Sequence, residues 1–355
     1  MAEIKTGKEL SKQVKSGEFF YAEDFSGMDC KGIDLSGGIF NEVCFDSCNF
    51  TGANLKEALF NNCSIKNGIF FQADVNEANF IKCNLEKTDF KGINTELIKF
   101  IDSEMVQSDF SNSNLAGMCI FSDTNMDGVS FIGSNLDTVV FNSCEMQNAD
   151  LSQANLYKTT FFQCEFENNI FKDTVICLSL FNGATLNETD FSNIDLTQVQ
   201  FHNSTLNGCN FSGTKLKQGG FMWANLKGSK FNNAYLEFAN FFEAELSGSS
   251  FINANMKMAS MQNAILTGCD FSSAKLYQAQ MEGVAAENSI FKNADLTYAD
   301  LSHATMKNSD FSYANLFMTN MHEVDDENTK WRGSKKSLAR GTDSNRLKSE
   351  QWGQK

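Results

Sequence analysis

Large apolar residues recur at every fifth position over most of this chain. In one frame they run from Phe121, Met126, Phe131, Leu136 and Phe141 without a break to Phe311, Leu316 and Met321, and every position but Ala286 is large. A small residue stands two places before most of them, as in Ala154 before Leu156 and Ala224 before Leu226. The remaining positions are mostly Asn, Asp, Ser, Gly, Thr and Lys. A five-residue period fits neither regular element. On a helix it advances a net ~140° per repeat and spreads the large residues round every face. On a flat strand it alternates them between the two sides. One-sided burial follows if the chain turns a corner every five residues and winds into a coil with inward-pointing sides. Successive coils then lie roughly 4.8 Å apart, with their backbone groups bonded to the coils above and below.

The number of sides follows from the alternation. Phe recurs at 171, 181, 191, 201, 211, 221, 231, 241 and 251, with Ile176, Leu186, Leu196, Leu206 and their successors between. Four sides and 20 residues per coil stack Phe on Phe and Leu on Leu, whereas three sides would stack Phe on Leu. Phe201 and Phe221 should therefore touch. Units such as Ala53-Asn54-Leu55, Ala78-Asn79-Phe80, Ala154-Asn155-Leu156, Ala294-Asp295-Leu296 and Ala314-Asn315-Leu316 resemble the A(D/N)LXX repeat of the pentapeptide-repeat protein family. The resemblance implies an all-β fold, a right-handed quadrilateral β-helix of about 15 coils. It implies no single activity.

The repeat is expected over residues 19–321. Residues 1–18 lie outside it, and Leu10 and Val14, four apart, predict a short helical cap over the first coil. Two irregularities are expected. Thr95 fills a large slot while Ile93 and Ile98 fill small ones, which predicts a distorted coil. Leu115 and Met126 are eleven apart, so one residue is inserted near 116–121, as a bulge at a corner. Beyond Met321 the frame is lost, leaving 322–355 as a basic tail in which Trp331 covers the last coil.

Composition narrows the chemistry. The chain of 355 residues has no proline, as a ladder that uses nearly every backbone N–H requires. Of eleven cysteines, eight (Cys48, Cys63, Cys83, Cys119, Cys144, Cys164, Cys209 and Cys269) occupy the small inward slot and Cys30 a large one. Core packing is expected rather than zinc or disulfides. The histidines are His202, His303 and His322, the first two in outward slots of separate coils, and no phosphate loop, GxSxG, HExxH or dinucleotide fingerprint occurs. No catalytic, cofactor or metal site is expected, and the protein is not read as an enzyme. Neither a run of about 20 apolar residues nor a signal-peptide pattern is present. A cytoplasmic protein is expected, or one exported by a specialised secretion system.

Net charge is −15, yet residues 329–355 carry eight Lys/Arg and two Asp/Glu. An acidic repeat disfavours direct nucleic-acid binding. Many of its acids (Asp34, Asp89, Asp109, Asp150, Asp190, Asp270, Asp295 and Asp310) stand just before the large residue, where the repeat uses Asn or Asp. The outward slots are more informative. Tyr235, Phe238, Met258, Tyr277, Tyr298, Phe317 and Met318 fall on one side of successive coils, with Met222, Trp223 and Phe242 on the next. Such a patch predicts a protein partner or a second copy, unless the tail folds back over it. Trp331, Lys335, Lys336, Arg340 and Trp352 form a candidate second contact in the tail.

Two functions are carried forward. One is a non-enzymatic interaction scaffold, beside a secretion apparatus or as another bacterial accessory protein. The other, implied by the resemblance, is a DNA mimic that binds a type II topoisomerase such as gyrase and protects it from quinolones.

Overall fold

The computed structural model describes residues 4–352. The chain divides into two compact units, Met1–Thr185 and Leu186–Lys355.

Unit 1 opens with helix α1 (Gly7–Lys15), whose capping box pairs Thr6 with Glu9. Leu10 is fully buried and Val14 nearly so, and Ser11 Oγ donates to the Asp34 carbonyl at 2.7 Å. Gly7 lies so close to the coil below that a Cβ would come within 2.6 Å of the Asp29 carbonyl oxygen. The helix thus covers the first coil by direct packing, as Leu10 and Val14 predict.

Among the described residues nine three-residue strands follow: β1 (Phe19–Tyr21), β2 (Ile39–Asn41), β3 (Leu59–Asn61), β4 (Asn79–Ile81), β5 (Lys99–Ile101), β6 (Ile120–Ser122), β7 (Val140–Asn142), β8 (Thr160–Phe162) and β9 (Leu180–Asn182). They form one parallel sheet in sequence order. The register steps by 20 residues, as in Phe60↔Phe80, except between β5 and β6, where Phe100 pairs with Phe121. The extra residue sits in the turn at 116–118, where the Gly117 amide bonds the Asp137 carbonyl and the Met118 amide the Glu96 carbonyl. At the Thr95 corner the backbone bends without forming the usual turn. Thr95 is 3% exposed there, and its hydroxyl lies 3.4 Å from Asn76 Oδ1.

Every strand's central residue is Phe. Their rings stack from Phe20 to Phe181 with centroids 4.7 to 5.4 Å apart. A second column, Phe50 to Phe131, meets the first edge-to-face, with Phe100 and Phe110 5.9 Å apart at 84°.

In unit 2 no three-residue strand forms among the described residues. Single parallel bridges carry the same 20-residue step from Asp190↔Asn210 to Asn320↔Arg340. The strands alone therefore define eight turns, fewer than the 15 coils expected. Phe201 and Phe221 stack at 5.4 Å and 17°, as four sides require. Another column runs from Phe191 to Phe311. The repeat also continues past Met321, which corrects the expected boundary. Asp325, Lys330 and Arg340 bridge back to Thr305, Asp310 and Asn320, and Trp331 stacks on Phe311 at 4.8 Å. The frame looked lost because the slot after Met321 holds Asp326. The chain ends in a short 3-10 helix (Lys336–Leu338) and helix α2 (Ser344–Trp352).

Nine of the eleven cysteines are buried, and Cys44 and Cys177 are half-buried. Their thiols serve the backbone. Cys48 Sγ donates to the Phe25 carbonyl at 3.0 Å, and Cys269 Sγ to the Leu246 carbonyl at 3.0 Å.

Candidate functional site

The residue two places after each large one takes a left-handed backbone, which turns every corner but the one at Thr95. Gly and Asn suit that slot, whereas a bulky side chain there costs roughly 1 kcal/mol or more. Unit 2 nevertheless places Phe238 (φ 60°), Met258 (φ 57°), Tyr298 (φ 58°) and Met318 (φ 58°) in it on one side, and Trp223 (φ 58°) on the next. These side chains are poor choices for the turn and point outward. Trp223, Tyr235, Phe238, Met258, Tyr298 and Phe317 are 41% to 56% exposed, while Tyr277, Met318 and Phe242 are half-buried.

The backbone holds them in register. Met258 N–H donates to the Tyr277 carbonyl at 2.9 Å and Tyr298 N–H to the Phe317 carbonyl at 3.0 Å. The rings then form a chain across three coils: Tyr277 to Tyr298 at 5.9 Å and 83°, and Tyr298 to Phe317 at 5.7 Å and 85°. The Lys257 ammonium lies 5.5 Å over the Tyr277 ring. Trp223 meets Phe242 edge-on at 6.2 Å and donates its indole N–H to Glu243 at 3.1 Å. The structure thus brings Tyr277, Tyr298 and Phe317 together and makes Trp223 and Phe242 a separate pair.

The candidate tail residues divide. Trp331 and Lys336 finish the fold: the ammonium stands 4.6 Å over the indole and pairs with Asp326. Arg340 donates through Nε and Nη2 to the Met318 carbonyl. Lys335 and Trp352 are exposed, Trp352 to 87%.

The residues that anchor the tail are others. Arg346 of α2 pairs with Glu282 at 3.2 Å and with Glu350 at 2.7 Å. Glu350 reaches His303 Nε2 at 3.3 Å and His322 Nε2 at 3.1 Å. His322 is buried, and its Nδ1 accepts the Asp343 amide at 3.0 Å, which places its proton on Nε2, facing Glu350. The His322 bond, with Arg346 beside it, holds the Glu350 carboxyl down at about 2. The ligand-type atoms of His303, His322 and Glu350 lie within 4.8 Å of one another, but a protonated Nε2 and a guanidinium at 3.2 Å from His303 make this an anchor rather than a metal cradle. Sequence reading missed it, although Arg346 and Glu350 are four apart on a helix and His303 and His322 nearly one coil apart. The anchor lies beside Glu282 and His303 and leaves Phe238, Met258, Tyr298 and Phe317 exposed.

The eight acids singled out in the sequence have a local task. In each, Oδ1 accepts the amide two residues on, from Asp34 to Ser36 at 3.0 Å through Asp310 to Ser312 at 3.0 Å. Asn49, Asn54 and Asn155 make the same bond. The acidity of the repeat is thus partly turn chemistry that a neutral amide performs equally.

Comparison with known proteins agrees with this architecture. The pentapeptide-repeat family model matches in eight copies over residues 119–156, 179–218, 221–257, 259–284 and 289–325, together half of the chain. The chain belongs to the pentapeptide-repeat family. A second model, the SV2A/B/C luminal domain, matches residues 2–90. None of the curated proteins matches the chain. Similar solved structures include three pentapeptide-repeat proteins or their relatives. HetL, a pentapeptide repeat protein involved in heterocyst differentiation regulation in the cyanobacterium Nostoc sp. strain PCC 7120, is 21% identical over 62% of this chain and 91% of its own, with a TM-score of 0.22. A pentapeptide repeat protein of the Arabidopsis thaliana thylakoid lumen is 32% identical over 27% and 67%, with a TM-score of 0.27. Trypsin-treated QnrB1, a plasmid-mediated fluoroquinolone resistance protein, is 14% identical over 78% and 96%, with a TM-score of 0.21. No helix among the described residues is long and apolar enough to cross a membrane.

Proposed function

We propose that this pentapeptide-repeat protein is a non-enzymatic scaffold whose unit 2 offers the surface around Phe238, Met258, Tyr298 and Phe317 to a protein partner. The observation that carries this reading is that bulky apolar side chains occupy left-handed slots which Gly or Asn would fill with less strain, and stay exposed there. A feature that weakens the turn and does not enter the core has its use outside the fold. Aromatic and methionine side chains supply large, adaptable contact area at interfaces. We place the protein in the cytoplasm, since buried thiols such as those of Cys48 and Cys269, which donate to backbone carbonyls, suit a reducing compartment.

The test is co-purification of the tagged full chain from its own cells, beside Phe238→Ser with Tyr298→Ser. A partner retained by the parent at about 0.5 M salt and lost by the variant is expected, since apolar contacts survive screening. A partner such as gyrase that dissociates with salt and ignores both substitutions would favour imitation of DNA by the acidic surface instead.

A further inference from the structure

On the side of unit 2 built on Leu196 to Leu316, the outward slots combine aromatics with lysines. Lys215, Lys217, Lys257 and Lys275 stand there, all exposed. On the other sides of unit 2, a lysine just after a large residue pairs with an acid 18 residues on, as Lys227 does with Glu245, Lys292 with Asp310 and Lys307 with Asp325. Here the same place holds Tyr235 for Lys217 and Lys275 for Lys257. Among the described residues no carboxylate pairs with Lys217, Lys257 or Lys275, and the Lys257 ammonium stands over the Tyr277 ring instead. The acids of this side are already engaged. Asp195 pairs with Lys215 at 3.3 Å, Glu237 accepts the Asn255 side-chain amide at 3.0 Å, and Asp295 accepts the Thr297 hydroxyl and, at 3.1 Å, the Asn315 side-chain amide. The side built on Phe191 to Trp331 has the same excess of one positive charge in the slots before and after its large residues, but its Lys292 is paired and Tyr313 is its one outward aromatic. The side from Phe201 to Met321 carries Glu243, Glu282, Asp300 and Glu323 and no lysine in those slots. Unpaired ammonium groups and large apolar side chains thus share one narrow strip, with acids along its flank.

Given a partner that docks on the aromatic surface, on which this rests, we propose that the docking element is an extended acidic segment of that partner. Its carboxylates sit on Lys217, Lys257 and Lys275, and its apolar side chains lie among Phe238, Met258, Tyr298 and Phe317. Five steps of about 4.8 Å from the Lys215 coil to the Phe317 coil span roughly 24 Å, the reach of about seven extended residues. The ammonium groups select an acidic partner and speed its capture, while the apolar contacts supply most of the affinity. Single-stranded nucleic acid fits the strip less well. Bases stack on open ring faces, whereas Tyr277, Tyr298 and Phe317 meet edge to face at 83° and 85°, so that each contact covers one of those faces. A phosphate at every nucleotide would also lie against Glu243, Glu282 and Asp300 on the flank. A peptide can space its carboxylates to the lysines.

Selection of random displayed peptides of about twelve residues on the immobilised full chain tests this. Enriched peptides should combine Asp or Glu with Phe, Leu or Trp. One of them, labelled and titrated by fluorescence anisotropy, should bind about tenfold more weakly to the chain with Lys217→Glu and Lys275→Glu. It should also lose about tenfold between roughly 0.1 and 0.5 M salt. Lys275→Glu gives Lys257 the acid that Lys227 finds in Glu245, so the variant keeps its fold, and Lys292→Glu on another side should bind as the parent does. Enriched peptides that are neutral or basic, or acidic ones that ignore Lys217→Glu and Lys275→Glu, would overturn the acidic segment. If their binding were still lost with Phe238→Ser and Tyr298→Ser, the aromatic docking surface would stand without it. Peptides that ignore Phe238→Ser and Tyr298→Ser as well, or a selection that enriches none, would overturn both. Tighter binding of a single-stranded oligonucleotide of similar length, or of vesicles containing phosphatidylserine, would overturn the peptide as the occupant.

Discussion

The corner after Phe60 or Phe80 in unit 1 and the corner after Phe221 or Phe241 in unit 2 follow the same inward ring and still differ. In unit 2 the residue three places on is Ala, and its amide closes a turn onto the Phe carbonyl: Ala224 to Phe221 at 3.1 Å, Ala244 to Phe241 at 3.0 Å. In unit 1 that place holds Glu23 after β1, Val43 after β2 and Ala184 after β9, and after β3 to β8 it holds Cys63, Cys83, Ser103, Thr124, Cys144 and Cys164. Each of these six donates its thiol or hydroxyl to the carbonyl of the residue after the Phe, at 2.9 to 3.5 Å. The chain then stays extended through that residue and a strand forms, helped by the β-branched Ile39, Ile120, Val140 and Thr160 on the outside. The donor supports the strand side without defining it, since Val43 and Ala184 accompany β2 and β9 and Ser204 makes the same bond to the His202 carbonyl at 3.4 Å on the turn-built side.

The contrast can be pressed hardest at the rings. Phe80 stacks between Phe60 and Phe100 and meets Phe70 and Phe90 edge-on, whereas Phe271 has stacking partners on its own column, Phe251 and Phe291. Phe80→Ala should cost about 3–5 kcal/mol and Phe271→Ala about 1 kcal/mol less. Chemical denaturation read with amide exchange, which keeps the coils apart, would show equal losses if edge contacts contribute nothing. Next in size, Cys63→Ala with Cys83→Ala should remove about 1–2 kcal/mol and speed exchange in β3 and β4. Unchanged exchange there would mean that the thiols do not hold the strand side open.

Smaller effects sharpen the comparison from the other direction. Phe238→Asn should raise stability by about 0.5 kcal/mol through relief of its left-handed backbone while abolishing partner capture, and a thermal melt that falls would remove the strain argument. Asp150 in unit 1 and Asp270 in unit 2 should behave alike. Conversion to Asn should leave stability within about 0.3 kcal/mol, and conversion to Ala should cost about 0.5–1 kcal/mol. Least of all, Arg346→Ala with Glu350→Gln should leave the unfolding midpoint in place, since exposed ion pairs contribute little. Exchange in 344–352 should nonetheless rise as α2 comes off His322.

Much of this was legible beforehand because burial period is a geometric constraint that a repeat cannot hide. Phe201 against Phe221, the inserted residue near Gly117, the distorted corner at Thr95 and the cysteines of the small slots all follow from the frame alone. Which side becomes a strand did not follow, because Val43, Cys63 and Ala184 accompany strands while Ala224 accompanies a turn, so the small inward slot carries no signal for it. Nor did the tail: Trp331 stays in the aromatic column although Asp326 interrupts the pattern before it, and the ion pairs of Arg346 obey no period. The outward positions were readable as a cluster, but the strain beneath Phe238 and Tyr298 needed backbone angles.

Helix α1 has a consequence for how the molecule is made. It precedes in the chain the coil that it covers, so during synthesis it leaves the ribosome first. Each later stretch of 20 residues in unit 1 can then be laid onto a finished edge as it emerges, with its amides finding carbonyls already in place. Vectorial growth of this kind needs no distant segment to arrive before a nascent coil is secure.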